Sequence, residues 1–132
     1  MLRFAMEKLQ AWKEKKDRKP LIIMGARQVG KTWLMKEFGT TCYEKVAYIS
    51  FYNNKRMDDV FQVDFDIQRI IMNLNIESGV TITPGDTLII LDEIQDTPKV
   101  LESLKYFCEE APEYHVIAAG SLLGVAIHEG VS

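Results

Sequence analysis

Gly25 and Gly30 are separated by four residues, and Gly30 is followed at once by Lys31 and Thr32, within the stretch LIIMGARQVGKTWL. Glycine lets backbone N–H groups approach and turn toward an anion where a Cβ would intervene. Lysine adds a full positive charge, and the threonine hydroxyl is an oxygen ligand of the kind magnesium takes. The pattern G-x-x-x-x-G-K-[ST] is that of a loop that cradles phosphates. Gly25, Ala26, Arg27, Gln28, Val29, Gly30, Lys31 and Thr32 are expected to surround a triphosphate tail, with Lys31 reaching its β- and γ-phosphates. The amides of Thr32 and Trp33 fall in the first turn of a following helix, whose positive end favours an anion, and should lie nearest the α- and β-phosphates.

A second group of chemically competent residues stands at LIILDEIQ, where an apolar run delivers Asp92 and Glu93. An aspartate at the C-terminal end of a parallel strand lies on the edge where open α/β sheets bind ligands, and Asp92 is expected to hold magnesium together with Thr32. A carboxylate beside it, Glu93, can polarise a water for in-line attack on a γ-phosphorus. Ser121 ends the run HVIAAGS on the same edge. Its hydroxyl either reaches the γ-phosphate or the attacking water, or caps the next turn.

These residues need strands and helices to position them. Leu2, Met6, Leu9 and Trp12 recur at helical spacing and predict an amphipathic helix, which ends in the polar run 13–19 and at Pro20. Leu21–Met24, Val46–Phe51, Thr87–Leu91 and Val116–Ala119 read as short buried strands. Thr32–Phe38 reads as a helix stopped by Gly39. The stretch NNKRMDDVFQVDFD reads as loop and short helix, with Asp58, Asp59, Asp64 and Asp66 on a solvated face. Ile67, Ile70, Ile71 and Leu74 mark one face of a helix closed at Ser78-Gly79, and Thr83-Pro84-Gly85-Asp86 is a turn. After the Thr97-Pro98 start signal, Leu101, Leu104, Phe107 and Cys108 are the expected buried face of a last helix, which ends by Pro112. Trp12 and Trp33 sit at helical positions, where core packing is the expected role rather than an adenine pocket. The alternation of strand and helix predicts an α/β fold with a parallel sheet and helices on both faces.

At 132 residues the chain is long enough for one domain with a proper core. Its 47% hydrophobic and 27% charged residues are ordinary for a globular protein and argue against disordered and fibrous classes. A net charge of −3 does not point to nucleic acid. Cys42 and Cys108 stand far apart, without metal-ligand spacing, and read as free thiols. The N-terminal residues lack the apolar core of a secretory signal, and no run reaches membrane-spanning length, so a cytoplasmic location with no membrane partner is expected.

Together the GARQVGKT loop, the LDEIQ stretch and the AAGSLLG stretch resemble the AAA-superfamily ATPases, and within them a prokaryotic group that carries these three motifs in this order. The resemblance spans essentially the whole chain. It implies a P-loop NTPase fold, three-layer α/β/α with a mainly parallel sheet, in which the loop strand lies beside the fourth strand and not the second. It implies ATP and Mg2+ as ligands, Lys31 and Thr32 on phosphate and metal, Asp92 and Glu93 as the acidic pair, and Ser121 as a γ-phosphate sensor. Members of that group continue through a fifth strand, a helical lid and a C-terminal domain. By this resemblance the chain is an N-terminal portion, with residues 1–19 as helix and basic linker and 20–132 as an incomplete ATPase core, truncated before the fifth strand. It also allows a homo-oligomer of the full-length protein, and it leaves the loop strand with one unpaired edge.

A guanine-specific switch would carry Asn-Lys-x-Asp and an Asp-x-x-Gly after the metal strand. Neither is present, so ATP is favoured over GTP. Small-molecule kinases of this loop type usually lack a glutamate directly after the metal aspartate, and Glu93 counts against one. The expected function is magnesium-dependent ATP binding and hydrolysis, with the fragment itself a weak catalyst. The rival is a nucleotide-dependent scaffold or switch without hydrolysis.

Overall fold

The computed structural model describes residues 2–25 and 30–121. In chain order its elements are α1 (Leu2–Glu14), β1 (Leu21–Gly25), α2 (Lys31–Cys42), β2 (Lys45–Ser50), α3 (Lys55–Val63), α4 (Ile67–Ser78), β3 (Thr87–Asp92), α5 (Pro98–Glu110) and β4 (His115–Ser121). The strands form one sheet of order β1-β4-β3-β2, and every neighbouring pair is parallel. β1 therefore lies beside β4, as the family resemblance implied, and stands at an edge of the described sheet with Ile22 exposed.

Strand geometry sends alternate residues to opposite faces, and both faces are covered. Ile89, Leu91, Val116 and Ala118 meet Met57 and Phe61 of α3, Ile70 and Leu74 of α4, and Leu104 and Phe107 of α5. Leu88, Ile90, Ile117 and Ala119 face the other way, onto Leu9 of α1 and Met35 and Phe38 of α2. The result is the three-layer α/β/α arrangement, and it explains why β3 is buried at all six positions.

Local chemistry accounts for the element ends. The Asn54 side chain accepts the Met57 amide at 3.2 Å and caps α3, whose Met57 and Phe61 are buried. Gly79 closes α4 at φ 75°, a left-handed conformation that glycine adopts without steric cost. Of the aspartates read as a solvated face, Asp59 pairs with Lys55 and Asp64 with Arg69 at the surface.

Four expectations need correction. Gly39 does not stop α2, which runs on to Cys42. Gly39 is instead buried against the sheet, where an added Cβ would stand 2.5 Å from Val46 Cγ2 and 3.2 Å from Leu88 Cδ2. On α5 the buried face is Val100, Ser103, Leu104 and Phe107; Leu101 is exposed and Cys108 half-buried, because the helix is rotated from the phase read from its apolar residues. Trp33 is 54% exposed and so is not core, whereas Trp12 packs against the rings of Phe38 and His115 and donates from Nε1 to Lys19 O at 2.7 Å. Thr97 does precede α5, but its hydroxyl turns back to Ile94 O at 3.1 Å rather than capping the helix.

Candidate functional site

β1, β3 and β4 end at one sheet edge, and α2 starts there. Gly25 pairs with Ser121, Ser50 with Asp92, and Leu91 with Ala118, so β1 and β4 end two residues beyond β2 and β3 on the same side of the sheet. Gly30, the residue before α2, has φ 101°, a conformation that strains any side-chain-bearing residue. With glycine there, no side chain caps α2, and the amides of its first turn, including those of Thr32 and Trp33, have no intrahelical acceptor. Ala26, Arg27, Gln28 and Val29 lie outside the described residues.

Asp92 is 1% exposed, and its carboxylate is held by three donors. Thr32 Oγ1 and Tyr48 OH each donate to Oδ2 at 2.7 Å, and the Glu93 amide donates to Oδ1 at 2.9 Å. A buried charge without such partners would be strongly disfavoured. Burial, and then the hydrogen bond to the Asp92 carboxylate, raise the Tyr48 phenol well above its ordinary range, so it stays protonated and donating. Lys36 Nζ lies 4.0 Å from the centroid of the Tyr48 ring.

Glu93, half-buried, has φ 58°, an unusual backbone state for a residue with a side chain. That kink turns the chain off the strand line, after which the Ile94 amide donates to Ala119 O at 3.0 Å. The Glu93 carboxylate accepts from Gln95 Nε2 at 2.9 Å, and Gln95 Oε1 accepts the Ser121 amide at 3.0 Å. Lys31 Nζ donates to Gly120 O at 3.0 Å. Lys31, Thr32, Asp92, Glu93 and Ser121 thus stand at one edge, linked through short hydrogen bonds.

The donor set suits a hydrated magnesium beside phosphate. Thr32 Oγ1 and Asp92 Oδ2, oxygens of the kind magnesium takes, lie side by side in a 2.7 Å hydrogen bond. Among the described residues no cluster of three or more His, Cys, Asp or Glu side chains could hold a metal ion. An ion bound largely by water and phosphate needs no such cluster.

Two residues at this edge had no assigned role from sequence. Tyr48 sits inside the apolar run VAYISF, on a strand covered on both faces, so polarity alternation gave no sign of its task. Gln95 stands within LDEIQ, where a polar side chain two places after Glu93 was the available signal. A cleft of about 480 Å3 opens nearby, lined by Phe51, Asn53, Asn54, Lys55, Asp58, Asp96 and Thr97; none of the expected site residues lines it.

A family model described as an AAA domain matches residues 17–131. No curated protein matches the chain. No helix of the described residues is long and apolar enough to cross a membrane. With a four-stranded parallel α/β sheet and a glycine-led helix start beside a buried strand-end aspartate, the chain belongs to the AAA domain family, whose character is that of a nucleotide-binding, ATPase-like protein.

Proposed function

We propose that the chain binds ATP with magnesium at the 25–33 loop and helix start, and that Glu93 drives hydrolysis of the γ-phosphate. The observation that carries this reading is the contact between Thr32 Oγ1 and Asp92 Oδ2 at 2.7 Å, which joins the loop to the acidic strand end. Lys31 exchanges its Gly120 carbonyl partner for β- and γ-phosphate oxygens, gaining charge-assisted bonds. Thr32 and Asp92 hold the metal, directly or through its water. Magnesium, when bound, neutralises charge on the β- and γ-phosphates. Glu93 takes a proton from the attacking water as its oxygen adds to the γ-phosphorus and the bond to the β-phosphate oxygen breaks. The Ser121 hydroxyl donates to a γ-phosphate oxygen.

Equilibrium titration with ATP and magnesium, GTP as competitor and Lys31→Ala as control, tests the binding half. ATP should be preferred, and the variant should lose about 10- to 100-fold in affinity, the worth of a charge-assisted contact. Equal affinity of wild type and variant would remove Lys31 from the site. Glu93→Gln tests the hydrolytic half: turnover should fall about 100-fold or more while ATP affinity is kept. Unchanged turnover in that variant would remove Glu93 as the proton acceptor, and no turnover in either protein favours a nucleotide-dependent switch.

A further inference from the structure

Lys31 and Gln95 grip the two ends of a single peptide unit. Lys31 Nζ donates to the Gly120 carbonyl, and the Ser121 amide of the same unit donates to Gln95 Oε1, both at 3.0 Å. The other end of the Gln95 amide donates to Glu93 Oε1 at 2.9 Å. The side-chain orientation follows from chemistry: the Ser121 N–H can only donate and the carboxylate only accept, so oxygen faces Ser121 and nitrogen faces Glu93.

We infer that Gln95 is a positioning residue for Glu93, tying its carboxylate to the end of β4. This rests on the reading of Glu93 as the group that takes the water's proton. Glu93 is half-buried on a kinked backbone, and a free glutamate side chain there would sample several rotamers. The Gln95 bond selects one of them and occupies Oε1, leaving Oε2 for the water. The connection is built with little slack. Gly120 has no Cβ, and one added there would stand 3.0 Å from Gln95 Oε1, 3.2 Å from Gln95 N and 3.2 Å from Met24 Cε. In the ligand-free protein the Lys31 charge polarises the peptide it touches and strengthens the Ser121 donor on its far side. When ATP draws Lys31 away from Gly120, the Gln95 amide still joins the Glu93 carboxylate to the Ser121 end of β4.

The test is a double-mutant cycle on the protein: wild type, Gln95→Ala, Glu93→Gln and the pair, read by single-turnover ATP hydrolysis and by equilibrium ATP binding. Gln95→Ala should slow hydrolysis about 10- to 100-fold, the cost of a misplaced reacting group, and leave ATP affinity within about twofold. In the Glu93→Gln background it should slow hydrolysis no further, because Gln95 acts only through Glu93. Gln95→Glu keeps the size and the acceptor for Ser121 but replaces the donor with a second carboxylate, and should lose at least as much as alanine. An unaffected rate in Gln95→Ala, an equal fractional loss in both backgrounds, or full activity in Gln95→Glu overturns the inference. The Gln95 side-chain amide signals in an NMR spectrum of the ligand-free protein give a readout free of turnover. They should shift on Glu93→Ala, and an unmoved signal also overturns the inference, leaving the ATPase reading intact. A shifted signal combined with full turnover in Glu93→Gln instead overturns Glu93 as the base, and the positioning role with it.

Discussion

Tyr48 donates its hydroxyl to Asp92 Oδ2 at 2.7 Å, the same oxygen that receives Thr32. The partner strands place it there: Ser50 is level with Asp92, and Tyr48, two residues earlier and level with Ile90, reaches forward along the strand direction to it. Tyr48→Phe removes one of three donors from a carboxylate that is 1% exposed. Stability to urea should fall by about 1.5–3 kcal/mol, the range for a hydrogen bond to a charged group. Outer partners of metal-holding carboxylates carry about 10- to 100-fold in metal affinity. A magnesium titration of the ATP complex should show a loss of that order, while ATP binding measured in chelator stays unchanged. Equal magnesium affinities in the two proteins would limit Tyr48 to a stabilising role.

Gly120→Ala should disturb the site through the Gln95 contact. The new Cβ meets a backbone nitrogen at 3.2 Å as well as the amide oxygen at 3.0 Å, and the backbone cannot step aside as a side chain can. Overpacking of this kind costs about 1–3 kcal/mol. Removing the Gln95 side chain relieves part of it, so the costs of Gly120→Ala and Gln95→Ala should not add. Denaturant unfolding of the two single variants and the pair measures this. Additive costs would mean that the glycine serves another neighbour.

The parts of the site visible in the sequence were those whose chemistry is local. Gly30-Lys31-Thr32 and Leu91-Asp92-Glu93 each combine an element boundary with reactive side chains, and both boundaries stand within one residue of where expected. The neighbourhood of β1 and β4 followed from family resemblance, because alternation of strand and helix fixes parallel pairing but not strand order. Gly39 was misread because a glycine at a helix end and one beneath a close-packed sheet look alike in a chain, and only Val46 and Leu88 across the fold tell them apart. Tyr48 and Gln95 escaped for the same reason, since their partners Asp92 and Ser121 are brought to them by pairing between strands distant in sequence. Trp33 was misplaced because α2 is short of a clean apolar stripe, and its buried side is carried by Met35, Phe38 and Gly39.

Gly39→Ala sets two effects against each other. Alanine is favoured over glycine inside a helix by about 1 kcal/mol. Against that, its Cβ would overlap Val46 Cγ2 at 2.5 Å, a methyl on a β-branched side chain with little rotamer freedom, and crowd the fully buried Leu88 at 3.2 Å. The overlap should win, with a net loss of about 1–2 kcal/mol in denaturant unfolding. Gly39→Ala paired with Val46→Ala should recover part of that loss. A stabilised Gly39→Ala would show that α2 can shift off the sheet at no cost.

His115 sets a pH limit on the fold from the opposite end of β4. Its ring is 7% exposed, with Nδ1 2.6 Å from Tyr43 OH and edge-to-face contacts to Trp12 and Tyr43. Burial, then the nearby charges of Arg18 and Lys13, push its pKa down to about 4 from an ordinary 6.5. The native state therefore keeps the imidazole neutral where the unfolded chain protonates it. The stability this group contributes is fully present above pH 6.5 and drains as pH falls toward about 4, at up to about 1.4 kcal/mol per pH unit. Carboxylates titrate in the same window, so the measurement is a comparison: urea unfolding of wild type and His115→Gln at pH 7 and pH 5. Wild type should lose about 2 kcal/mol more than the variant between those values. Equal losses would mean that the ring takes up its proton within the folded state, with Tyr43 turning its oxygen to accept.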